Sequence, residues 1–185
     1  TGKGNYVDDI DRPNQTYAYI LRSPHAHANL GKIDTTRAKA APGVISVFTG
    51  EDIKVGSLPC GWVVKFKDGS PQHETPHPVL AQGKVRHVGD TVAVVIADTK
   101  AQAKDAAELI EVEYKPLPAV IDMADATKSG AALVHDAVPN NICFDWAIGD
   151  EAQTDAIIAK AAHVTKIDIV NNRLVANAME PRAAV

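Results

Sequence analysis

The sequence is short of cysteine, with Cys60 and Cys143 alone among 185 residues. Two are too few for a disulfide framework; one bridge could form, but a pair of buried free thiols in a reducing cytoplasm is the expectation. No stretch approaches the roughly eighteen uninterrupted apolar residues that a spanning helix needs, which excludes a membrane-spanning segment. No basic-then-apolar leader is present, so nothing points to export and a cytoplasmic location is expected. An excess of one charge is missing too. The 19 Lys and Arg face 23 Asp and Glu, a net charge of −4, which gives no electrostatic footprint for nucleic acid or an anionic membrane. The chain also begins at Thr1 without a methionine and stops at Val185 just after a Met-Glu-Pro-Arg phrase. It reads as a piece of something longer.

What is present is core material. Hydrophobic residues make up 45% of the chain, enough for one α/β domain, or one domain with a tail. Residues 17–21 favour a strand, ended by Ser23-Pro24. A second extended run over 28–33 leads to Asp34, a good helix N-cap, then a short helix over 35–41 stopped by Pro42-Gly43, then a strand over 44–48. Residues 54–78 carry seven glycines and prolines without sustained periodicity and read as a long loop. Trp62, Val63 and Val64 could pin it to the body.

The clearest pattern follows. Residues 91–97, Thr-Val-Ala-Val-Val-Ile-Ala, are almost wholly apolar and β-branched, as in a strand covered on both faces. Asp98-Thr99 offers a cap, and Ala103, Ala106, Ala107 and Ile110 recur at helical spacing as one apolar stripe. Residues 111–114 alternate as a strand closed by Pro116 and Pro118. Strand, helix and strand imply a right-handed βαβ unit. Beyond it, 142–148 reads as a strand and Asp150 caps a helix over 151–162, with Gln153 placed for a capping box. Residues 163–170 alternate, with Ile167 and Ile169 on one face, and 171–173 form a turn. A faint echo links Asp34-Thr35 with Asp98-Thr99, each opening an alanine-containing helix.

Candidate chemistry is thin. His25 and His27 would share a side of an extended chain and could form a metal pair, but no third ligand follows at a metal-site spacing. Local hydrogen bonding at a strand-to-strand corner is the favoured reading. His73 and His77 are four apart, yet Pro76 and Pro78 deny them a helix. Gly2-Lys3-Gly4 lacks the strand, third glycine and helix that would make anion capture physical. Gly89, before Asp90 and the buried strand, suits a bend or a close backbone approach. The acid pairs Asp8-Asp9, Glu51-Asp52 and Glu111/Glu113 read as solvated surface. No Cys, Ser or Lys has the context of a nucleophile.

Seven phrases change the picture. They are Thr-Gly-Lys-Gly-Asn-Tyr-Val-Asp-Asp-Ile (1–10), Leu-Arg-Ser-Pro-His-Ala-His-Ala (21–28) and Pro-Gly-Val-Ile-Ser-Val-Phe-Thr-Gly-Glu-Asp-Ile (42–53). Then come Val-Arg-His-Val-Gly-Asp-Thr-Val-Ala-Val-Val-Ile-Ala (85–97), Ala-Ala-Glu-Leu-Ile-Glu-Val-Glu-Tyr-Lys-Pro-Leu-Pro-Ala-Val (106–120), Asn-Asn-Arg-Leu (171–174) and Met-Glu-Pro-Arg-Ala-Ala-Val (179–185). In this order, over nearly the whole chain, they resemble the large, molybdenum-binding subunit of the xanthine dehydrogenase and aldehyde oxidase family. The wording is nearer its aerobic carbon monoxide dehydrogenase-type branch than its animal-type xanthine oxidases.

The resemblance implies a mixed α/β (α+β) fold: an a/b hammerhead domain with βαβ units over 1–125, then over 126–185 a connector and the first strands of the molybdopterin-binding domain. It implies an oxidoreductase that hydroxylates an aldehyde or N-heterocycle, or oxidises carbon monoxide, with oxygen from water. Electrons would pass to 2Fe-2S and FAD groups, carried by a small and a medium subunit or by further domains. The family's glycine-phenylalanine-glycine cofactor loop, its glutamine near the metal and its late catalytic glutamate have no counterpart here. No catalytic residue is therefore expected in this chain, and molybdopterin is not expected to bind it alone. Glu180-Pro181-Arg182 matches the phrase that enters the cofactor domain, and Glu180 and Arg182 are expected to organise that region by hydrogen bonds and a charge pair. A reading from another class is a stand-alone binding or scaffold module with the same fold.

Overall fold

Strands form where β-branched and aromatic residues alternate between turn signals, and the first such run, Tyr17–Arg22, is β1. The computed structural model describes residues 2–53, 55–58, 62–172, 174–180 and 183–185. In the compact unit Gln15–Ala147 it adds β2 (Ala28–Asp34), β3 (Val44–Thr49), β4 (Lys84–Val85), β5 (Thr91–Ala97) and β6 (Glu111–Pro116). They form two three-stranded sheets, ordered β1-β5-β3 and β4-β2-β6, with every pairing antiparallel. In chain order the strands alternate between the sheets without exception, odd ones in the first and even ones in the second.

That alternation corrects one expectation. Strand, helix and strand do follow one another over 91–116, but β5 and β6 belong to different sheets, so no parallel right-handed crossover forms. The class is still mixed α/β. A signal was present in β6 itself. Its exposure alternates, with Val112 and Tyr114 half-buried between exposed Glu111, Glu113 and Lys115, whereas a parallel strand under helices would be apolar on both faces. The expected two-sided cover of β5 also holds only in part. Ala93, Val95 and Ala97 are fully buried on one face; on the other, Val92 is buried while Val94 and Ile96 are half-buried.

Three short helices accompany these strands: α1 (Thr36–Lys39), α2 (Lys100–Ala107) and α3 (Met123–Ala126). Helix α2 starts where the sequence said, with the Thr99 hydroxyl accepting from the Gln102 N–H at 3.2 Å. At α1 the Asp34 carboxylate takes the Thr36 N–H at 3.0 Å, although Thr35 occupies the cap position. The alanine stripe of α2 packs with Ala38, Val47, Ala93 and Val95 to form the main core. A second cluster, Ala28, Ala81, Val85 and Val92, lies toward the other sheet, and Ile33 and Val112 touch both.

Within 54–78 the described residues carry a hairpin without regular strands. Lys65 bridges Pro71, Phe66 N–H donates to Ser70 O, and Ser57 bridges Pro78. Trp62 and Val63 are largely exposed and Val64 is half-buried, bonding Gln72 within the segment, so the expected apolar pin is weak. The segment is held instead by backbone bonds from Lys67 to Asp145 and from His73 to Cys143, both 2.8 Å. Cys143 is a free, half-buried thiol rather than a buried one, and Cys60 lies outside the described residues. The stretch after α3 closes on Asn141, whose side chain bonds the backbones of Ala126, Ala132 and Val134, and buries Val138. The strand expected over 142–148 does not form.

The second unit, Thr1–Asn14 with Ile148–Val185, holds a one-turn 3-10 helix, Val7–Asp9, and α4, Glu151–Ile158. Asp150 caps α4 as expected, its carboxylate 2.9 Å from the Gln153 N–H. Helix α4 ends about one turn earlier than the run of helix-favouring residues. Residues 163–170 make no ladder among the described residues, and Ile167, Ile169 and Val170 are exposed. Alternation alone does not make a strand; its backbone groups need a partner.

The core assignment has a direct test. Val95→Ala should lower unfolding stability by about 2 kcal/mol, from two lost buried carbons and the void they leave. Val94→Ala, one residue along on the half-buried face, should lower it by less than half as much. Urea midpoints of the two variants check this; equal losses would mean the wrong face has been placed inside.

Candidate functional site

The chain first changes sheets at Ser23-Pro24-His25-Ala26-His27, and this corner is built from backbone bonds. Ser23, 2% exposed, donates its N–H to Asp90 O and accepts the Gly89 N–H, both at 2.8 Å. Its hydroxyl closes a local turn with His25. Arg22 donates to Gly89 O at 2.9 Å. Gly89 has φ +88 with open space where a side chain would stand, so its conformation, rather than crowding, requires glycine.

The two corner histidines do not converge. The ring of His25 lies 4.7 Å from that of Tyr114. His27 is buried, with Nδ1 2.8 Å from Pro118 O. A carbonyl only accepts, so Nδ1 carries the hydrogen, and Nε2 is buried without a partner. This is the local corner bonding expected from sequence. Among the described residues, no three His, Cys, Asp or Glu side chains are grouped to hold a metal.

The other singled-out residues have local roles. His73 packs edge-on against Phe66. The Asp9 carboxylate takes the Tyr6 N–H. Asp52 accepts from both the N–H and the hydroxyl of Thr49, at 2.8 and 3.0 Å, and these bonds hold its carboxyl below its ordinary value. Glu111 pairs with Arg37, and Glu113 with Lys115, all on the surface. Glu180 accepts the Val7 N–H at 3.1 Å, joining residues 173 positions apart. Arg182 lies outside the described residues.

Beside a cavity of about 360 Å³ within the 54–78 segment, two others lie among the described residues of the larger unit. One, of about 520 Å³, runs along the edge of β2 past Leu30 and Gly31 to Gly50, Ala81 and Gly83. Here Gly50 is required by crowding: a Cβ would stand 2.4 Å from Ala81 O. Among the described residues, Glu51 is the one charged group on its wall.

The other cavity, about 260 Å³, gathers His77, Lys84, Arg86, His87, Asp90 and His135. Local reading of the sequence missed this cluster. Lys84, Arg86, His87 and Asp90 are close in the chain and could have drawn notice, but His77 and His135 arrive from segments with no regular pattern. Burial, followed by the Arg86 charge, holds His135 below the usual histidine value; Lys84 and His77 act the same way, and Asp136 opposes them.

Neither cavity fits a molybdenum–pterin group. The first offers one carboxylate and no cation among the described residues, the second at about 260 Å³ is below the roughly 300 Å³ of ordinary ligand pockets, and Glu180, the residue matching the family phrase, is engaged with backbone.

The comparisons with known proteins identify the class. A model for "Aldehyde oxidase and xanthine dehydrogenase, a/b hammerhead domain" matches residues 1–118. The carbon monoxide dehydrogenase large chain of Afipia carboxidovorans is 39% identical, covering 89% of this chain and 21% of its own length. Subunit gamma of the 6-hydroxypseudooxynicotine dehydrogenase complex of Paenarthrobacter nicotinovorans is 36% identical, covering 100% of this chain and 23% of its own. The solved structure of reconstituted carbon monoxide dehydrogenase from Oligotropha carboxidovorans matches with a TM-score of 0.71 at 39% identity, over 88% of this chain and 21% of that one. The chain therefore belongs to the aldehyde oxidase and xanthine dehydrogenase family and carries its hammerhead domain. It spans about a fifth of the length of these relatives, which are oxidoreductases by name. Among the described residues no helix is long and apolar enough to cross a membrane.

Two predictions follow from the site geometry. Gly89→Ala should cost about 1–2 kcal/mol, the strain of a left-handed alanine, read as a lower urea midpoint. Asp52 titrates below its unfolded value, so its contribution is complete above about pH 4 and is lost as pH falls through the folded value. Asp52→Asn should flatten that part of the stability–pH curve; an unchanged acid limb would exclude the Thr49 bonds as its source.

Proposed function

We propose that this chain is the hammerhead domain (1–125), with the connector and start of the cofactor domain (126–185), of a molybdenum-binding large subunit. The match to the hammerhead model over 1–118 is the observation that carries the reading. In the whole subunit, a molybdopterin-held molybdenum would hydroxylate an aldehyde or N-heterocycle, or oxidise carbon monoxide, with oxygen from water. Electrons would leave through the 2Fe-2S clusters of a small subunit to the FAD of a medium subunit in the cytoplasm. The family's catalytic and cofactor residues have no counterpart among these 185, so no chemical step is assigned to them. The contribution of this chain is packing: it presents a rigid two-sheet body, and its 54–78 segment helps shape the approach to a site supplied by later domains.

Glu180 is proposed as a clasp, with Arg182, at the entry to the cofactor domain. The bond to the Val7 N–H supports this for Glu180, because a carboxylate accepting a backbone N–H holds two distant segments together. Glu180→Ala should speed hydrogen exchange at the Val7 amide several-fold while leaving that of Val95 unchanged.

The decisive experiment expresses the whole gene with its partner subunits and compares it with the 185-residue chain. Molybdenum and pterin should be recovered with the assembled enzyme and absent from the isolated chain. An isolated chain that retains the metal–pterin, or turns over a substrate, sinks the reading. A full-length enzyme lacking residues 56–76 that keeps its substrate range would remove the proposed role of that segment.

A further inference from the structure

The 260 Å³ cavity carries chemistry that the packing role does not use. Its wall comes from three separate pieces of chain: Lys84, Arg86, His87 and Asp90 around β4 and the turn into β5, His77 from the 54–78 segment, and His135 from the stretch after α3. Most of its charge is already matched. The Lys84 ammonium sits 3.0 Å from Asp136. The Asp90 carboxylate, 6% exposed, takes the N–H groups of Arg86 and Thr91 at 2.9 and 3.1 Å, with His87 Nδ1 at 3.7 Å.

Arg86 is the exception. Its Nε donates to Val134 O at 3.1 Å, and no carboxylate among the described residues lies within ion-pair distance of its guanidinium, although, after the Lys84 bond, its charge helps hold the Asp136 carboxyl below its ordinary value. The Nη donors of this half-buried side chain are therefore uncommitted beside a cavity. A guanidinium presents paired N–H groups that match the spacing of two oxygens on a carboxylate or phosphate. Three imidazoles share the space, and the rings of His77 and His87 stand 6.1 Å apart; each can donate when its tautomer or charge allows. A bare cation is disfavoured by the Lys84 ammonium and the Arg86 guanidinium on the wall, and among the described residues the imidazoles are not grouped as a metal-ligand set. Room is adequate too: at about 30 Å³ per water, the cavity takes one oxyanion group with solvent beside it.

We propose that this cavity is a binding site for a small oxyanion, with the Arg86 guanidinium as its forked donor and His77, His87 and His135 completing the ring. The anion could be free and tetrahedral, or a planar carboxylate carried by another protein segment; both present the same paired oxygens. His135 supplies an internal reporter. Arg86, Lys84 and His77 disfavour its charged form and Asp136 favours it, so an anion placed among these groups raises its titration midpoint. Binding accordingly tightens as pH falls and His135 gains its proton.

The test titrates the 185-residue chain with inorganic phosphate, and separately with acetate, against chloride at equal ionic strength. Histidine ring resonances are followed by NMR. At least one anion should shift the His135, His77 and His87 rings saturably and move the His135 midpoint upward by half a unit or more. Saturation by phosphate alone marks a free tetrahedral ligand; saturation by acetate, alone or with phosphate, marks a carboxylate site. Arg86→Gln should weaken binding at least tenfold, with Lys104→Gln, exposed on α2 and absent from the cavity wall, unchanged as a control. If Arg86→Gln fails to fold by circular dichroism, the His135 midpoint of the unsubstituted chain decides alone. Failure of both anions to saturate, an unmoved His135, or equal binding by a folded Arg86→Gln variant overturns the proposal.

Discussion

The contact between the alanine stripe of α2 and the face of β5 sets the spacing of everything else in the larger unit. Ala103, Ala106 and Ala107 on the helix, and Ala93 on the strand, are at most 1% exposed. Small side chains let the helix axis come close, and dispersion contacts fall off steeply if it stands away. Because β5 is the middle strand of its sheet, its position fixes β1 and β3 through their ladders. Through Ile33 and Val112, which touch both core clusters, it also fixes the second sheet. A larger residue in the stripe would push the helix outward and disturb both sheets together.

The same construction suits the packing role proposed for this chain. The helical connections, the histidine corner and the turn before β5 are closed by caps, backbone bonds and buried small residues. What faces outward is then free to differ between relatives. The cation-lined cavity stands outside this frame: its members lie on the turn beside β5 and on two irregular segments, and their local bonds leave the guanidinium of Arg86 available. Identity of 36–39% links this chain to relatives named for different substrates, so one scaffold recurs among them.

Much of this was legible in the sequence, for physical reasons. The β-branched run at 91–97 and the alanine spacing after it had one reasonable interpretation each, and the caps Asp34, Thr99 and Asp150 all accept backbone N–H groups. Sheet membership was not legible. A strand–helix–strand order is the same whether the second strand returns to the first sheet or joins another, and only the charged alternation of β6 hinted at the latter. The apolar alternation over 163–170 misled in the opposite direction, because pairing is a property of a partner, not of the segment. At the histidine corner, local bonding was foreseen. The cluster of His77, Arg86 and His135 was not, since His135 lies 49 and 58 positions from Arg86 and His77 and meets them only after the irregular segments have docked.

The strict alternation of strands between sheets has an architectural consequence. Every connection acts as a strut from one layer to the other, so no contiguous half of the larger unit contains a complete sheet. Trimming from either side removes edge or central strands from both layers at once, and leaves no smaller self-sufficient kernel. Additions can enter only through the struts, and the longest of these, between β3 and β4, is the natural place for the scaffold to accept new sequence without unravelling.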